Sequence, residues 1–196
     1  MTSYLEFSYL YLKVKGVKIG ENSIDIGSIL NLKNRNFKAP SLASTILSNN
    51  LENELLAFAL SNDSLISNRA MWVLSHCHDL DSDRIKPFYN TLINHLKNDN
   101  LEEGVIRSIL KIFQIGTVPK KHESFMIDIC YNYFKSKSNA IAIRVFSISV
   151  IFNIAKQYSE LLNELLVVLN QFSHEKNGPA IDCRIKSIRK KINRLI

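Results

Sequence analysis

A repeat marked by four arginines is the feature that most constrains how this chain can fold. The spacings between successive members are 38, 37 and 40 residues, in the order Arg69, Arg107, Arg144 and Arg184. Each arginine lies near the start of an apolar segment with helical periodicity, and a turn or capping signal precedes each segment. Such a period is typical of one supersecondary unit that is repeated and stacked.

Four further segments between the arginine-bearing ones have apolar residues at i, i+3, i+4 and i+7 spacing. They are residues 51–60, 85–97, 122–135 and 158–172. The pattern therefore predicts an A-helix, a short turn and an arginine-bearing B-helix, four times over. We expect an all-α fold, a right-handed α–α superhelix of about four helical hairpins. With an additional helix near Ser41–Ser48, this gives about nine helices.

Helical hairpins of about 37 to 47 residues fit the size class of HEAT and armadillo repeats and exceed the roughly 33 to 34 residues of ankyrin and tetratricopeptide units. From about residue 40 onward, the chain resembles a family of small bacterial HEAT-like repeat proteins. The resemblance rests on NRAMWVLS (68–75), IKPFYNTLINHL (85–96), AIRVFSISVIFNIAKQYSELLNELL (142–166) and CRIKSIRKKI (183–192). It implies a solenoid fold and says little about activity.

Members of that family have sometimes carried the label adenylosuccinate lyase. The lyase family has a serine-containing loop of the form GSSxMPxKxN, which is absent here. This chain is also too short for the long central helices of the lyase. The sequence therefore does not favour lyase activity.

The four repeat arginines are predicted to be structural. HEAT-like B-helices commonly carry an arginine preceded by an acidic residue, and Asp63 and Glu102 precede two of these arginines, whereas Asn139 stands before Arg144. A half-buried guanidinium needs acceptors, which a neighbouring turn can supply. Display of these arginines for a ligand is the alternative.

The first 38 residues do not follow the repeat. They are rich in aromatic and β-branched residues and are interrupted by glycines, with a strand-like alternation around residues 12–15. We therefore divide the chain into an N-terminal extension, residues 1–38, and a HEAT-like repeat domain, residues 39–196. The extension could be a short hairpin, a capping element or poorly ordered chain.

No catalytic, cofactor-binding or metal-binding site is expected. The run from His76 to Asp79 (HCHD) offers four ligand types, but i and i+2 side chains point apart on a helix, so His76 and His78 cannot easily share a metal. Both histidines are expected to cap the C-terminus of a B-helix. The only tryptophan, Trp72, is expected in the core, and no nucleophile elbow or phosphate-binding loop is present.

The net charge of +7 is concentrated at the two ends of the chain. Residues 39–135 hold nine basic and eleven acidic side chains, whereas residues 136–196 hold ten and four. The last helix is predicted to pack Ile181, Ile185, Ile188, Ile192 and Leu195 inward. Its outward cations are either a solubilising cap or an anion-binding set, consisting of Lys186, Arg189, Lys190, Lys191 and Arg194.

The sparse cysteines Cys77, Cys130 and Cys183 form no CxxC pair and favour reduced, buried thiols in a cytoplasmic protein. The N-terminus does not resemble a signal peptide, and no apolar stretch is long enough for a membrane helix. The predicted function is a non-catalytic scaffold that binds a protein partner through the groove lined by B-helices. The alternative is a nucleic-acid-binding protein related to HEAT-like glycosylases that excise alkylated bases.

Overall fold

The computed structural model of the protein describes residues 24–31, 37–175 and 177–196. Within these ranges the chain forms helices and turns and no strand. Two short 3-10 helices, Lys86–Phe88 and Lys120–His122, precede α6 and α8. The α-helices are α1 (Ile26–Leu30), α2 (Ala39–Ser48), α3 (Glu52–Ala59), α4 (Ser64–Leu80), α5 (Ser82–Ile85), α6 (Tyr89–His95), α7 (Glu103–Phe113), α8 (Glu123–Lys135), α9 (Ile141–Ala155), α10 (Ser159–Phe172) and α11 (Pro179–Ile192).

The helices alternate between two layers, as the repeat predicts. The B-helices α4, α7, α9 and α11 carry the four arginines and stack directly, each upon the next. The A-helices α3, α8 and α10 pack against the B-helices that follow them, and α2 also packs on α4. The predicted all-α solenoid of helical hairpins is therefore confirmed, with more helices among the described residues than the nine expected.

Polar contacts between repeats tie the stack together at one repeat length. Glu103 Oε1 accepts from the backbone N–H of Ala140, 37 residues later, at 3.2 Å. The amide of Asn153 donates to the carbonyl oxygens of Phe113 and Gly116, 40 and 37 residues earlier. Since these partners lie one hairpin apart in sequence, each bond fixes one hairpin against its neighbour.

The second A-helix is broken, although one continuous helix over residues 85–97 was expected. The chain instead forms α5, a 3-10 turn containing Pro87, and α6. Proline cannot donate a backbone hydrogen bond and its ring crowds the preceding turn, so the α-helical ladder is interrupted there. Asp81 caps α5 by accepting from the backbone N–H groups of Asp83 and Arg84.

The last helix packs as predicted over most of its length. Ile181, Ile185, Ile188 and Ile192 are buried. Leu195 was expected to continue this stripe but is 56% exposed, because α11 ends at Ile192 and the chain turns away from the core. Two of the three thiols, Cys77 and Cys130, are buried as expected. The expectation for Cys183 was wrong, since it lies on the solvent side of α11.

A short helix from the N-terminal part of the chain completes the first repeat. Ile26 and Leu30 of α1 are fully buried, and α1 packs on α4. Its first turn is capped by Asp25, whose side chain accepts from the N–H of Ser28 at 2.9 Å. Residues 1–23 lie outside the described residues. The strand-like segment expected there and the domain boundary at residue 38 stay predictions.

Candidate interaction surface

The stacked B-helices leave one common side open to solvent. Each B-helix packs on A-helices on one side and on its B-helix neighbours along the stack, so a narrow stripe of each remains exposed. Parallel stripes on stacked helices form one continuous surface. We call this surface the B-helix face and define it by the exposed or half-buried side chains of Trp72, His76, Arg107, Lys111, Val145, Phe152 and Lys191.

Trp72 lies on this face and not in the core, so the sequence-based expectation for it was wrong. Its side chain is 39% exposed. Its ring centroid is 5.8 Å from that of Phe37 and 5.9 Å from that of His76. The residues around Trp72 in the sequence are mostly apolar because α4 contacts other helices on most of its sides. The spacing of Asn68, Trp72 and His76, one turn apart, is the signal that marks its open stripe.

A polar cluster joins α4 to α7 one turn beyond Trp72. Lys111 Nζ lies 2.5 Å from Asp79 Oδ2 and 3.4 Å from Ser75 Oγ. The same carboxylate oxygen is 3.5 Å from His76 Nδ1. Burial lowers the pKa of His76, and Lys111 lowers it further, so the imidazole is neutral at pH 7. Asp79 is therefore neutralised chiefly by Lys111.

The register between α4 and α7 sets Trp72 and Arg107 at about the same level along the stacked helices. Gly104 packs so closely on Asn68 that an added Cβ would lie 2.3 Å from the Asn68 Oδ1 atom. Asn68 and Gly104 are thus lateral neighbours in the stack. Trp72 is one turn further along α4, and Arg107 is about one turn further along α7. Both helices run in the same direction, as the Ser75–Lys111 contact at the same offset shows.

The four repeat arginines lie on the four B-helices but do not share one environment. Arg69 and Arg144 are buried and donate to the carbonyl oxygens of Leu30 and Phe134 at 2.5 and 2.9 Å. Arg184 donates to Ser149 Oγ at 2.7 Å. Arg107 is exposed and has no hydrogen-bond or ion-pair partner among the described residues. It therefore differs from the other three in having its guanidinium available.

The basic side chains of α11 extend the cationic character of this end of the stack. Lys191 Nζ lies 5.8 Å from the ring centroid of Phe152, which places it on the B-helix face. Lys186, Lys190 and Arg194 are exposed, and Arg189 is half-buried. Whether this set binds an anion stays a prediction.

The histidines of the HCHD run point to opposite sides of α4. His76 lies on the B-helix face, whereas His78 is buried and its Nε2 is 2.8 Å from the hydroxyl oxygen of Tyr89. His78 thus serves the packing between α4 and α6 rather than the end of its helix. Among the residues that the structure describes, no group of three or more potential ligands is placed to hold a metal ion.

The buried thiols are poorly suited to nucleophilic chemistry. Burial raises the pKa of Cys77 and of Cys130 to about 12. Both thiols are therefore protonated at neutral pH, and the thiolate is the nucleophilic form. Neither cysteine lies on the B-helix face.

A second concave feature lies on the A-helix side, between α8 and α10. Its most enclosed carboxylate, Glu123, is buried and accepts a hydrogen bond from the Tyr158 hydroxyl at 2.7 Å. This pair is satisfied within the protein, so it offers little to a ligand. The cleft is lined by Glu123, Ser124, Ile127, Asp128, Tyr131, Tyr158, Glu160, Leu161 and Glu164.

No helix within the described ranges is both long enough and apolar enough to cross a membrane. A family profile described as a HEAT repeat domain matches residues 30–192. No curated protein and no solved structure gives a significant match.

Proposed function

Because the chain belongs to the HEAT repeat family, we propose that it is a non-catalytic scaffold that binds a protein partner through the B-helix face. HEAT repeats are commonly protein-interaction scaffolds. The observation that carries the proposal is the exposure of Trp72 on this face. A tryptophan that is 39% exposed on a rigid helix is an anchor that protein interfaces frequently use.

Two features of the surroundings support this assignment. Phe37 packs against the Trp72 ring, and Lys111 pairs with Asp79. These contacts hold the side chains of Trp72 and Asp79 in fixed positions. A preorganised surface loses less conformational entropy on binding than a mobile one. Val145 and Phe152 supply further apolar area on α9 of the same face.

Photocrosslinking inside cells tests the proposal. A photoreactive amino acid is placed at Val145 on the B-helix face and, as the matched control, at Ser124 on the A-helix side. We expect a discrete crosslinked protein at position 145 only, and expect Trp72→Ala to abolish it. Crosslinking that occurs only at position 124, or that Trp72→Ala leaves unchanged, contradicts the proposal.

Nucleic-acid binding remains the second candidate, because the B-helix face that carries exposed Trp72 also carries two cations of α7, Arg107 and Lys111. Aromatic stacking next to cationic side chains is how single strands are bound. Base excision also needs an available carboxylate, and Asp79 is paired with Lys111. The acidic balance of residues 39–135 also disfavours a polyanion.

We propose that this interaction takes place in the cytoplasm. Cys77, Cys130 and Cys183 are free, and each lies on a different B-helix or A-helix. Free thiols are typical of reducing compartments.

A further inference from the structure

We propose that the C-terminal end of α11 binds the surface of a lipid bilayer that carries anionic headgroups. The exposed cations of α11 contact the headgroups, and two exposed aliphatic side chains, Leu195 and Ile196, enter the boundary between headgroups and acyl chains. This lipid contact is additional to the proposed protein contact, because it uses the last turn of α11 and takes a different ligand. An excess of positive charge and an apolar tip beside it carry the assignment.

Positive charge dominates α11 and the turn that follows it. Residues 179–196 hold six cationic side chains and one acidic one, Asp182, in the first turn of the helix. With the main-chain carboxylate of Ile196 counted as well, the charges are six to two. The exposed cations have no ion-pair partner among the described residues; they are Lys186, Lys190, Lys191 and Arg194.

The helices that pack on α11 supply no carboxylate to this charge. α9 contains no acidic residue. Glu160 and Glu164 of α10 line the cleft with α8, on the A-helix side. Glu175, which follows α10, is paired with Lys137 at 3.0 Å. The excess of positive charge at α11 therefore faces solvent, and such a cluster of cations on one helix attracts anionic headgroups.

An apolar tip adjoins the cations. Leu195 and Ile196 are 56% and 59% exposed, and their backbone N–H groups both donate to the carbonyl oxygen of Ile192, at 2.8 and 3.2 Å. These bonds fix the backbone of the tip at the end of α11. Leu195 comes directly after Arg194 and four residues after Lys191, so it lies one turn beyond that lysine on about the same side. Helices that bind membrane surfaces insert apolar side chains at this boundary while their lysines stay among the headgroups.

A bilayer fits this end of the stack better than a nucleic acid or an acidic protein segment does. A nucleic-acid strand is bound by aromatic rings that stack on its bases or by a row of phosphate contacts, and an aliphatic tip serves neither purpose. An acidic segment is held in a groove, whereas the outer side of a single helix is convex. Binding to a bilayer increases with both buried apolar area and positive charge, and the end of α11 provides both.

Vesicle sedimentation with the full chain tests this assignment. Phosphatidylcholine vesicles with about 30% phosphatidylglycerol provide the anionic surface, and pure phosphatidylcholine provides the neutral one. We expect binding to the anionic vesicles only, weakened by added salt. The double variant Lys190→Gln/Lys191→Gln should weaken this binding about thirtyfold, which is about fivefold for each charge. Lys120→Gln/Lys121→Gln is the matched control, because it removes the same charge from an exposed pair before α8, and it should bind as tightly as the wild type.

The aliphatic tip separates a lipid from other anionic partners. Leu195→Ser should weaken vesicle binding about fourfold, the factor that about one buried methylene group contributes. Leu65→Ser, at an exposed leucine of α4, should have no effect. Since all the replaced side chains are exposed, each variant should retain the wild-type helical circular dichroism.

Several results would overturn lipid binding by α11. They are absence of binding to anionic vesicles, equal binding to neutral vesicles, equal losses for the two double variants, and an unchanged affinity for Leu195→Ser. Binding of duplex DNA or polyglutamate that Lys190→Gln/Lys191→Gln weakens would overturn it as well, because the cations would then select another polyanion. None of these results bears on the proposed function, which the crosslinking at position 145 tests separately.

Discussion

At the residue scale, two arginines on neighbouring segments show how one side-chain type serves two purposes. Arg84 lies between repeats and donates to the carbonyl oxygen of Leu47 and to Asn50 Oδ1, both at 2.7 Å, and it pairs with buried Glu52. Asn50 adopts φ of 55°, a left-handed conformation that asparagine tolerates in a turn. Arg107, by contrast, has its guanidinium in solvent. Sequence alone could not separate them, because burial depends on the neighbouring hairpin.

Removing Arg84 should destabilise the fold strongly. Arg84→Ala leaves the Glu52 carboxylate, 6% exposed, without its cation, and an uncompensated buried charge costs about 3 to 5 kcal/mol. Because Arg84 itself is partly exposed, we expect a loss of about 2 to 4 kcal/mol in the free energy of unfolding, measured with urea. Lys86→Ala, which breaks an exposed pair with Asp83, should cost under about 0.5 kcal/mol. Equal effects of the two variants would contradict this role.

Two histidines with a lowered pKa, His78 and His95, predict that stability decreases in mild acid. Burial lowers the pKa of His78 and of His95 below the ordinary value of 6.5. As the pH decreases below about 6.5, these histidines bind protons in the unfolded chain before they do so in the folded chain. The free energy of unfolding therefore decreases as the pH decreases, and it levels off once the histidines of the folded chain are also protonated. Denaturant unfolding at pH 8 and pH 5 should show this loss. His78→Gln should reduce the difference, whereas His174→Gln, at an exposed position, should leave it unchanged.

At the element scale, the sequence predicted the helices well because their apolar periodicity decides both existence and extent. The predicted segment 158–172 corresponds to α10 (Ser159–Phe172), and 122–135 to α8. Orientation was harder to predict. In α9, nearly every side is apolar, and in α4 the same is true around Trp72, so the sequence does not indicate which stripe remains open. That depends on which faces the flanking hairpins cover.

The start of α9 depends on a carboxylate from the preceding repeat. Its N-terminal neighbour, Ala140, has no capping side chain, and Glu103 Oε1 accepts from the Ala140 N–H at 3.2 Å. Glu103→Ala should therefore cost about 1 kcal/mol, the usual value of a lost cap. Glu102→Ala is the matched control, because the Glu102 side chain makes no capping bond. Thermal or urea unfolding gives both values; a larger loss at Glu102 would refute the assignment.

Substitutions on the exposed side of α11 should leave the free energy of unfolding nearly unchanged, whereas substitutions on its packed side should lower it. Ile188 is 2% exposed on the packed side of α11, so Ile188→Asp should destabilise the fold by about 2 to 4 kcal/mol. Lys190→Gln removes an exposed charge and should change the free energy of unfolding by less than about 0.5 kcal/mol. A strong effect of Lys190→Gln would show that α11 uses that charge for packing.

At the scale of the whole molecule, contacts between adjacent hairpins hold the stack, and the open stripes of four B-helices provide one long surface. The period of the arginines predicted this architecture, because a repeat that stacks must place equivalent helices side by side. The proposed interaction site was less predictable. The Lys111–Asp79 pair joins residues 32 positions apart, and only the inter-helix register brings them together.

The salt dependence of binding by the α11 cations tests the nucleic-acid alternative. If the cations of α11 bind duplex DNA, the logarithm of affinity should fall steeply with the logarithm of salt concentration, by about 0.9 per phosphate contact. Replacing Lys190 and Lys191 by Gln should then reduce that slope by up to about 1.8. We expect no measurable binding to labelled duplex or single strands at low salt. Binding with the reduced slope in the double variant would establish the alternative.

Fluorine NMR of Trp72 tests the central claim most directly. Trp72 is the only tryptophan, so 5-fluorotryptophan labelling gives one resonance that reports on the B-helix face alone. The labelled protein is added to an unlabelled lysate of the source cells, and Arg107→Glu in the same lysate is the control for viscosity. We predict that the resonance shifts or broadens for the wild type, and that Arg107→Glu retains the narrower line. An identical resonance for both proteins, unchanged from buffer apart from viscosity, would contradict the claim that the B-helix face binds a partner.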